Sequence, residues 1–188
     1  MMRSIGGYPL HLTGVVRLAD GTRVTLRPVL PEDGELHRRF FRSLSPRSRY
    51  CRFMSRLTEL PEPLVERFTD VDYTSHLALL ATISQCGAEV MIGEARCVAE
   101  RDDPDRAEFA IAVADAWQRQ GIALALMERL ERQAAASGFR QLVADTLVSN
   151  GPMLGLARRA GYAITANPED HELARLQKQL QPLPAVAA

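Results

Sequence analysis

The stretch from residue 107 to residue 147 limits the folds open to this chain, because it predicts a strand, a glycine turn, a helix and a second strand. The two strands are predicted over 107–113 and 141–147. The helix over 121–137 carries an apolar stripe at helical spacing and stops at Gly138. A strand–helix–strand unit of this kind places its two strands parallel in one sheet. The sequence therefore predicts an α/β fold with at least one parallel strand pair.

The turn between the first strand and the helix has the composition of an anion-binding site. Its residues are Gln118, Arg119, Gln120, Gly121, Ile122 and Ala123. Glycine allows the backbone to come close to a ligand, and the first N–H groups of a helix have no internal acceptor. The helix dipole adds partial positive charge at the same place. The turn is predicted to hold a phosphate group, although a hexapeptide of this kind is a weak signal by itself.

The remaining segments predict further antiparallel strands with helices packed on them. An Asp20-Gly21 pair between two β-prone runs indicates a hairpin, and three successive strands before the glycine turn imply a meander. The predicted strands are 13–19, 22–29, 76–83, 90–98, 107–113, 141–147 and 162–165. The predicted helices begin at residue 31 and cover about 46–54, 61–68, 121–137 and 152–159.

Composition favours an ordinary globular protein. Lys plus Arg equals Asp plus Glu, 23 each, so net charge predicts binding to neither nucleic acid nor membrane. Cys51, Cys86 and Cys97 have neither disulfide nor metal-ligand spacing, and no metal site is predicted. No segment has the pattern of a signal peptide or a membrane span, so a cytoplasmic location is expected. The predicted organisation is an N-terminal tail (1–12), a single domain (13–180) and a flexible C-terminal tail (181–188).

Seven arginines are concentrated between residues 38 and 56, with no acidic residue among them. They are Arg38, Arg39, Arg42, Arg47, Arg49, Arg52 and Arg56. A solvated basic face is the ordinary interpretation of such a run. The alternative is a docking surface for an acidic partner or for a cofactor phosphate.

The surroundings of the glycine turn make its interpretation more specific. The turn follows a strand and opens an amphipathic helix, and further along Asn150 precedes a short helix that ends in Ala160-Gly161-Tyr162. In this arrangement the chain resembles the GNAT superfamily of acyl-CoA-dependent N-acetyltransferases. The family motif Gln/Arg-x-x-Gly-x-Gly/Ala matches residues 118–123, and its Asn and Gly-Phe/Tyr motif matches 150–162.

The resemblance implies acetyl-CoA as cosubstrate and a twisted, mostly antiparallel mixed sheet with helices on both faces. A splayed parallel pair of strands would admit the cosubstrate. The resemblance also implies a last strand within 171–180, where Leu173, Leu176 and Leu180 suit a helix equally well.

Longer matches resemble one branch of the family, the catalytic domain of bacterial protein lysine acetyltransferases. They include Leu26-Arg27-Pro28, Pro31-Glu32-Asp33, Arg39-Phe40-Phe41, the run 68–73 and Ala107-Glu108-Phe109-Ala110. Members often carry a fused regulatory domain, for which 188 residues leave no room, so a stand-alone catalytic domain is expected. The implied acceptor is a lysine ε-amine on a protein. A small amine as acceptor, or a module that binds acetyl-CoA without chemistry, stays open.

Transfer to an amine needs a general base, because a lysine ammonium with pKa about 10.4 must first lose a proton. In the resembling branch the Glu of Ala-Glu-Phe-Ala has this role, which makes Glu108 the candidate. Alternation along a strand places it opposite the side of Phe109. Asp70, Asp72 and Glu94 are weaker alternatives, more typical of structural carboxylates or of contacts to the positive charge of a substrate.

The resemblance also assigns the rest of the acetyl-CoA site. Pantetheine would pair with the strand at Ile111, Ala112 and Val113, where the strand is expected to bulge from its neighbour. A backbone N–H near Val113 would meet the charge on the thioester oxygen. Asn150 would contact the cosubstrate or merely cap a helix.

The expected proton donor to the leaving thiolate is missing from this sequence. Many family members place a Tyr where this chain has Ala157. The thiolate is therefore expected to leave unassisted or with the help of water. Tyr162 is expected to pack in the core.

Overall fold

The computed structural model describes residues 8–181, and most of the two predicted tails, 1–7 and 182–188, lies outside that part. The described residues contain one eight-stranded sheet with the order β1-β2-β3-β4-β5-β6-β8-β7. Its strands are β1 (Gly14–Arg17), β2 (Arg23–Pro28), β3 (His76–Gln85), β4 (Ala88–Ala99), β5 (Arg106–Val113), β6 (Gln141–Leu147), β7 (Ala163–Ala166) and β8 (Leu173–Gln179). The helices are α1 (Gly34–Ser43), α2 (Pro46–Phe53), α3 (Glu62–Thr69), α4 (Ile122–Ala136) and α5 (Gly151–Arg159).

The sheet is mixed, as the sequence predicts. Strands β1 to β5 pair antiparallel in chain order, while β5 and β6 are parallel because α4 carries the chain back across the sheet. Strand β8 then pairs antiparallel with both β6 and β7. The segment 171–180 is thus a strand and not a helix: Ala174 and Leu176, two residues apart, are its buried positions, which is the period of a strand.

Helices cover both faces of the sheet, because alternate residues of each strand point to opposite sides. On β3, Leu77 and Leu79 belong to one core cluster with the apolar stripe of α4, whereas Leu80 packs with Phe40 of α1 on the other face. Helices α1 and α3 join through a third cluster that includes Phe41 and Phe68. Each fully buried large apolar side chain contributes about 1.5–3 kcal/mol.

The parallel strands β5 and β6 pair over only a few residues. Beyond these residues an opening lies between the two strands. Only residues 106–108 of β5 pair with residues 141–143 of β6, although both strands continue beyond that point. The β5–β4 ladder, by contrast, keeps a regular register up to Val113 opposite Gly93. Near Val113, β5 therefore leaves its neighbour on the β6 side and not on the β4 side. The register shift of the sheet lies between β3 and β4, at Ile92.

Backbone N–H and C=O groups of successive residues point to opposite edges of a strand, and this determines which groups of β5 face the opening. The N–H of Ala114 donates to the C=O of Ile92 at 2.9 Å, and along a regular strand such groups alternate in direction. Even-numbered residues of β5 therefore bond to β4, and odd-numbered ones turn their N–H and C=O toward the side on which β6 has stopped pairing. These odd-numbered residues are Phe109, Ile111 and Val113.

Candidate active site

A cleft of about 610 Å³ opens over the ends of β4 and β5 and is closed on its other side by α2 and α3. We call it the β4–β5 cleft. Its charged lining residues are Arg52, Arg67, Arg96, Glu100, Arg101, Asp102 and Glu108. The remaining lining residues are Phe53, Leu64, Phe68, His76, Val98, Ala99, Phe109 and Ala110.

Among residues 8–181, Glu108 is a carboxylate of this cleft without a hydrogen-bond or ion-pair partner, as is Asp102 in the loop after β4. Glu108 is exposed on β5. Glu100 differs, because Nε of Arg106 donates to its Oε2 at 2.7 Å. Glu108 also lines a smaller pocket of about 150 Å³ with Val143 and Gln177, since it occupies the last residue of β5 that pairs with β6.

The opening beside β5 presents an unpaired backbone edge. The C=O of Val113 accepts from Nε2 of Gln118 at 3.0 Å, which fixes the start of the glycine turn against the end of β5. The N–H of Val113 and the backbone groups of Ile111 face the opening, because odd-numbered residues of β5 direct these groups away from β4. Ala112 turns its backbone toward β4, so a contact from this residue to a ligand would come from its methyl group.

The glycine turn has the geometry of an anion site. Arg119 has φ 61° and Gly121 has φ 86°, two left-handed residues that bend the chain into α4. No side chain caps the helix, and its first backbone bond runs from Ala125 N–H to Gly121 C=O. The N–H groups that precede this bond lack an acceptor within the helix. A Cβ built on Gly121 would meet no atom within 4 Å, so space for a ligand is available there.

Asn150 has the structural role that the sequence left as one alternative. Its Oδ1 accepts from Met153 N–H at 3.3 Å at the start of α5, and its Nδ2 donates to Thr146 Oγ1 at 3.1 Å. A contact from Asn150 to a cosubstrate stays a prediction.

Tyr162 lies in the core and is not placed to act as a proton donor. Its ring lies 5.0 Å from that of Phe109, and burial raises the pKa of its phenol. Ala157 is also fully buried, in the same core cluster.

A buried charge cluster lies beneath the β4–β5 cleft, and it is the feature that the sequence analysis missed. It consists of Glu94, Arg96, Arg52 and His37, from β4, α2 and α1. Nη2 of Arg96 donates to Glu94 Oε2 at 2.8 Å, and Nη2 of Arg52 lies 3.0 Å from Glu94 Oε1. Burial alone would raise the pKa of Glu94, but the two guanidinium groups hold it far below its usual value.

The two histidines near this cluster are neutral at pH 7. Burial lowers the pKa of His37 to about 4, against the opposing influence of Glu94 at 3.7 Å. Burial also lowers the pKa of His76, whose Nε2 lies 3.3 Å from Arg96 Nη1. Both therefore serve as structural groups.

Two of the other predicted carboxylates, Asp72 and Glu94, have structural surroundings. The hydroxyl of Ser75 and the N–H groups of His76, Thr74 and Ser75 donate to the Asp72 carboxylate, and these bonds lower its pKa to about 2 although burial opposes them. Glu94 is enclosed by its arginines. These contacts leave Glu108 as a better candidate for a base than Asp72 or Glu94.

The arginine run divides into two groups. Arg39, Arg42, Arg47 and Arg56 are exposed, as a solvated face predicts. Arg38 pairs with Glu62, and Arg49 donates to the carbonyls of Phe41 and Leu44. Arg52 is buried in the charge cluster. The solvated-face interpretation is therefore wrong for Arg49 and Arg52, because their guanidinium groups lie over the rings of Phe41, Phe53 and Phe68.

Comparison with known proteins identifies the family. The pattern of the Acetyltransferase (GNAT) family matches residues 41–162. An acetyltransferase of Pseudomonas aeruginosa is 31% identical over 156 residues, which is 83% of each chain. The crystal structure of the GNAT domain of S. lividans PAT has a TM-score of 0.85 and 31% identity, over 93% of this chain and 100% of that chain. The chain belongs to the GNAT acetyltransferase family and is an acyltransferase.

Two further relatives show its range. Acetyltransferase Pat of Mycolicibacterium smegmatis is 32% identical over 146 residues, which is 78% of this chain and 43% of that protein. A phosphinothricin acetyltransferase of Sinorhizobium meliloti, solved in complex with AcCoA, shares the fold at 21% identity, with a TM-score of 0.67 over 87% of this chain and 95% of that chain. The predicted GNAT fold is thus confirmed, and one structure with this fold was solved with AcCoA bound.

In the part of the chain that the structure describes, no group of three or more His, Cys, Asp or Glu side chains could hold a metal ion. No helix among residues 8–181 is long and apolar enough to cross a bilayer.

Proposed function

We propose that this enzyme transfers the acetyl group of acetyl-CoA to the ε-amine of a lysine on a protein, with Glu108 as general base. The observation that carries the proposal is the position of Glu108. This unpaired carboxylate lies in the β4–β5 cleft at the last residue of β5 that pairs with β6. An amine in the cleft and a thioester in the strand opening would therefore meet beside it.

The chain supplies the other groups that direct transfer in a ternary complex needs. When bound, acetyl-CoA supplies the thioester carbon that the amine attacks. Glu108 takes the proton of the lysine ammonium, directly or through a water. The N–H of Val113 faces the opening and can donate to the thioester oxygen as it gains charge. A thiol pKa near 8.5 makes the thiolate a fair leaving group without a tyrosine.

The glycine turn would hold the pyrophosphate. Gln120, Gly121, Ile122 and Ala123 offer backbone N–H groups at the start of α4, and Arg119 is exposed beside them. Asn150 would add a contact through the second hydrogen of Nδ2.

Replacing Gly121 by alanine should weaken acetyl-CoA binding beyond its effect on stability. A Cβ at φ 86° is strained, at roughly 1–2 kcal/mol, and it occupies the space next to the free N–H groups. Gly138 offers a matched control, because it also has positive φ, at 97°, open surroundings and a position beside α4. We expect similar losses of thermal stability in both variants, and about a tenfold higher Kd for acetyl-CoA, measured by calorimetry, only in Gly121→Ala. Equal Kd values in the two variants would place the pyrophosphate elsewhere.

Two further statements belong to the same proposal. A protein acceptor is supported by the sequence blocks shared with the lysine acetyltransferase branch and by the open cleft. We also infer a cytoplasmic location, because Cys51, Cys86 and Cys97 are all free thiols.

The test compares protein lysines with free amines. Candidate proteins and a panel of polyamines, amino acids and aminoglycosides are incubated with acetyl-CoA, and products are counted by mass spectrometry. The enzyme adds little background, because Lys178 is its single lysine and its Nζ donates to Glu131 and to the carbonyl of Ala160, both at 2.6 Å. Much faster turnover on free amines would favour a small acceptor, and no turnover on any amine would contradict transfer altogether.

A further inference from the structure

The inner surface of the β4–β5 cleft is formed in part by two buried guanidinium groups. Arg52 and Arg96 both line the cleft, yet their side chains are only 10% and 6% exposed. Glu94 and His37 complete the buried charge cluster but do not line the cleft. The cations thus face the open space, and their carboxylate partner lies behind them.

The charges in this cluster do not balance. Two permanently protonated arginines share one carboxylate, and both neighbouring histidines are neutral at pH 7 because burial lowers their pKa. The cluster therefore carries one surplus positive charge. A buried charge without a counter-ion is costly, and an anion that enters the cleft would remove this cost.

Both guanidinium groups keep a shielded nitrogen without a hydrogen-bond partner among the described residues: Nη2 of Arg52, which forms an ion pair with Glu94 Oε1 at 3.0 Å, and Nε of Arg96. Buried donors are rarely left unpaired. Nη1 of Arg96 makes only long contacts, at 3.5 Å to Phe68 C=O and 3.3 Å to His76 Nε2. The Phe68 ring lies 3.8 Å from the guanidinium carbon and offers no oxygen. An acceptor oxygen is thus the missing element.

We propose that Arg52 and Arg96 bind a carboxylate of the acceptor, so that the enzyme selects amines with a carboxylate close by. This inference rests on the proposed function, because it requires an amine placed at Glu108. In the sheet Arg96 pairs with Ala110, two residues along β5 from Glu108, which is about 7 Å along the strand. A lysine side chain spans about this length. With its amine at Glu108, a carboxylate bound at Arg96 would therefore belong to the acceptor lysine itself or to an acidic residue next to it.

The test uses pairs of acceptors that differ only in charge. Blocked peptides with the sequence Gly-Lys-Asp-Gly or Gly-Lys-Asn-Gly examine the protein source of the carboxylate. Nα-acetyl-lysine and its amide examine the small-molecule source. Within at least one pair we expect about a tenfold lower KM for the charged member, as for a hydrogen bond to a charged group, with kcat nearly unchanged.

Two variants test whether the buried charge cluster causes the preference for the charged acceptor. Arg52→Gln leaves Glu94 and Arg96 as a balanced pair, so it should fold and should lose the preference for the charged acceptor. Arg47→Gln, on the same helix but exposed and outside the cleft, should keep it. If Arg52→Gln fails to fold, the comparison of KM between charged and uncharged acceptors on the unmodified enzyme still tests the proposal.

The possible outcomes separate the two proposals. Acetylation of both members of every pair at equal KM would overturn the carboxylate site and leave the proposed function intact. A preference that survives in Arg52→Gln would also overturn it. No acetylation of any lysine compound would contradict the proposed function itself.

Discussion

Replacing Glu108 by glutamine should lower kcat/KM for amine acetylation at pH 7 by about 10²- to 10⁴-fold, which is the usual contribution of a positioned general base. The amide keeps the shape of the side chain but cannot take a proton. The deficit should shrink as the pH rises toward the amine's own pKa of about 10.4, because the acceptor then arrives already deprotonated. Steady-state rates from pH 6 to pH 10 with a lysine peptide measure both effects.

Two controls separate loss of the base from general damage. Glu108 lies outside the glycine turn, so the Kd of Glu108→Gln for acetyl-CoA should equal that of the unmodified enzyme. Glu128→Gln changes an exposed carboxylate on α4 and should retain the full rate. Full transfer by Glu108→Gln at every pH would show that another group, or water alone, takes the proton.

The unit from β5 to β6 was predictable because its signals are local. The glycine turn, the apolar stripe of α4 and the stop at Gly138 each depend on a few adjacent residues, and the observed helix, Ile122–Ala136, departs from the prediction by one residue at each end. The helical crossover between the two strands then makes them parallel. Both the opening beside Val113 and the anion turn follow from this one stretch.

The strand β8 shows what local patterns leave undecided. Leu173, Leu176 and Leu180 suit a helix by spacing. The segment is a strand because β6 on one side and β7 on the other supply partners for its backbone. Those partners become available only when the sheet has assembled, and tertiary pairing then overrides the local preference.

The buried charge cluster was not predictable for the same reason. It joins α1, α2 and β4, which are separated in sequence and meet only in the fold. One signal was nevertheless present, since Glu94 and Arg96 interrupt an otherwise apolar strand two residues apart and so share a face. Charged residues at buried positions are expected to pair. The third charged member of the cluster, Arg52, comes from the arginine run.

Removing the carboxylate of this cluster should be the most destabilising single change outside the hydrophobic core. Glu94→Gln leaves two guanidinium groups buried side by side, and breaking a buried pair in this way costs about 3–5 kcal/mol. The total free energy of unfolding of a domain is about 5–15 kcal/mol. Urea denaturation followed by circular dichroism measures the loss. Because the two arginines lower the pKa of Glu94, the advantage of the unmodified protein should be complete above about pH 5 and decline as the pH falls.

The matched control for this change lies on the same strand. Glu89 also pairs with an arginine, Arg27 at 2.8 Å, but its side chain is 44% exposed, so Glu89→Gln should cost at most about 1 kcal/mol. Adding Arg52→Gln to Glu94→Gln removes one of the two repelling charges and should restore part of the stability. Equal losses for Glu94→Gln and Glu89→Gln, or a double variant less stable than Glu94→Gln, would mean that the surplus positive charge is already neutralised in the folded protein. The cluster would then have no affinity left for an acceptor carboxylate.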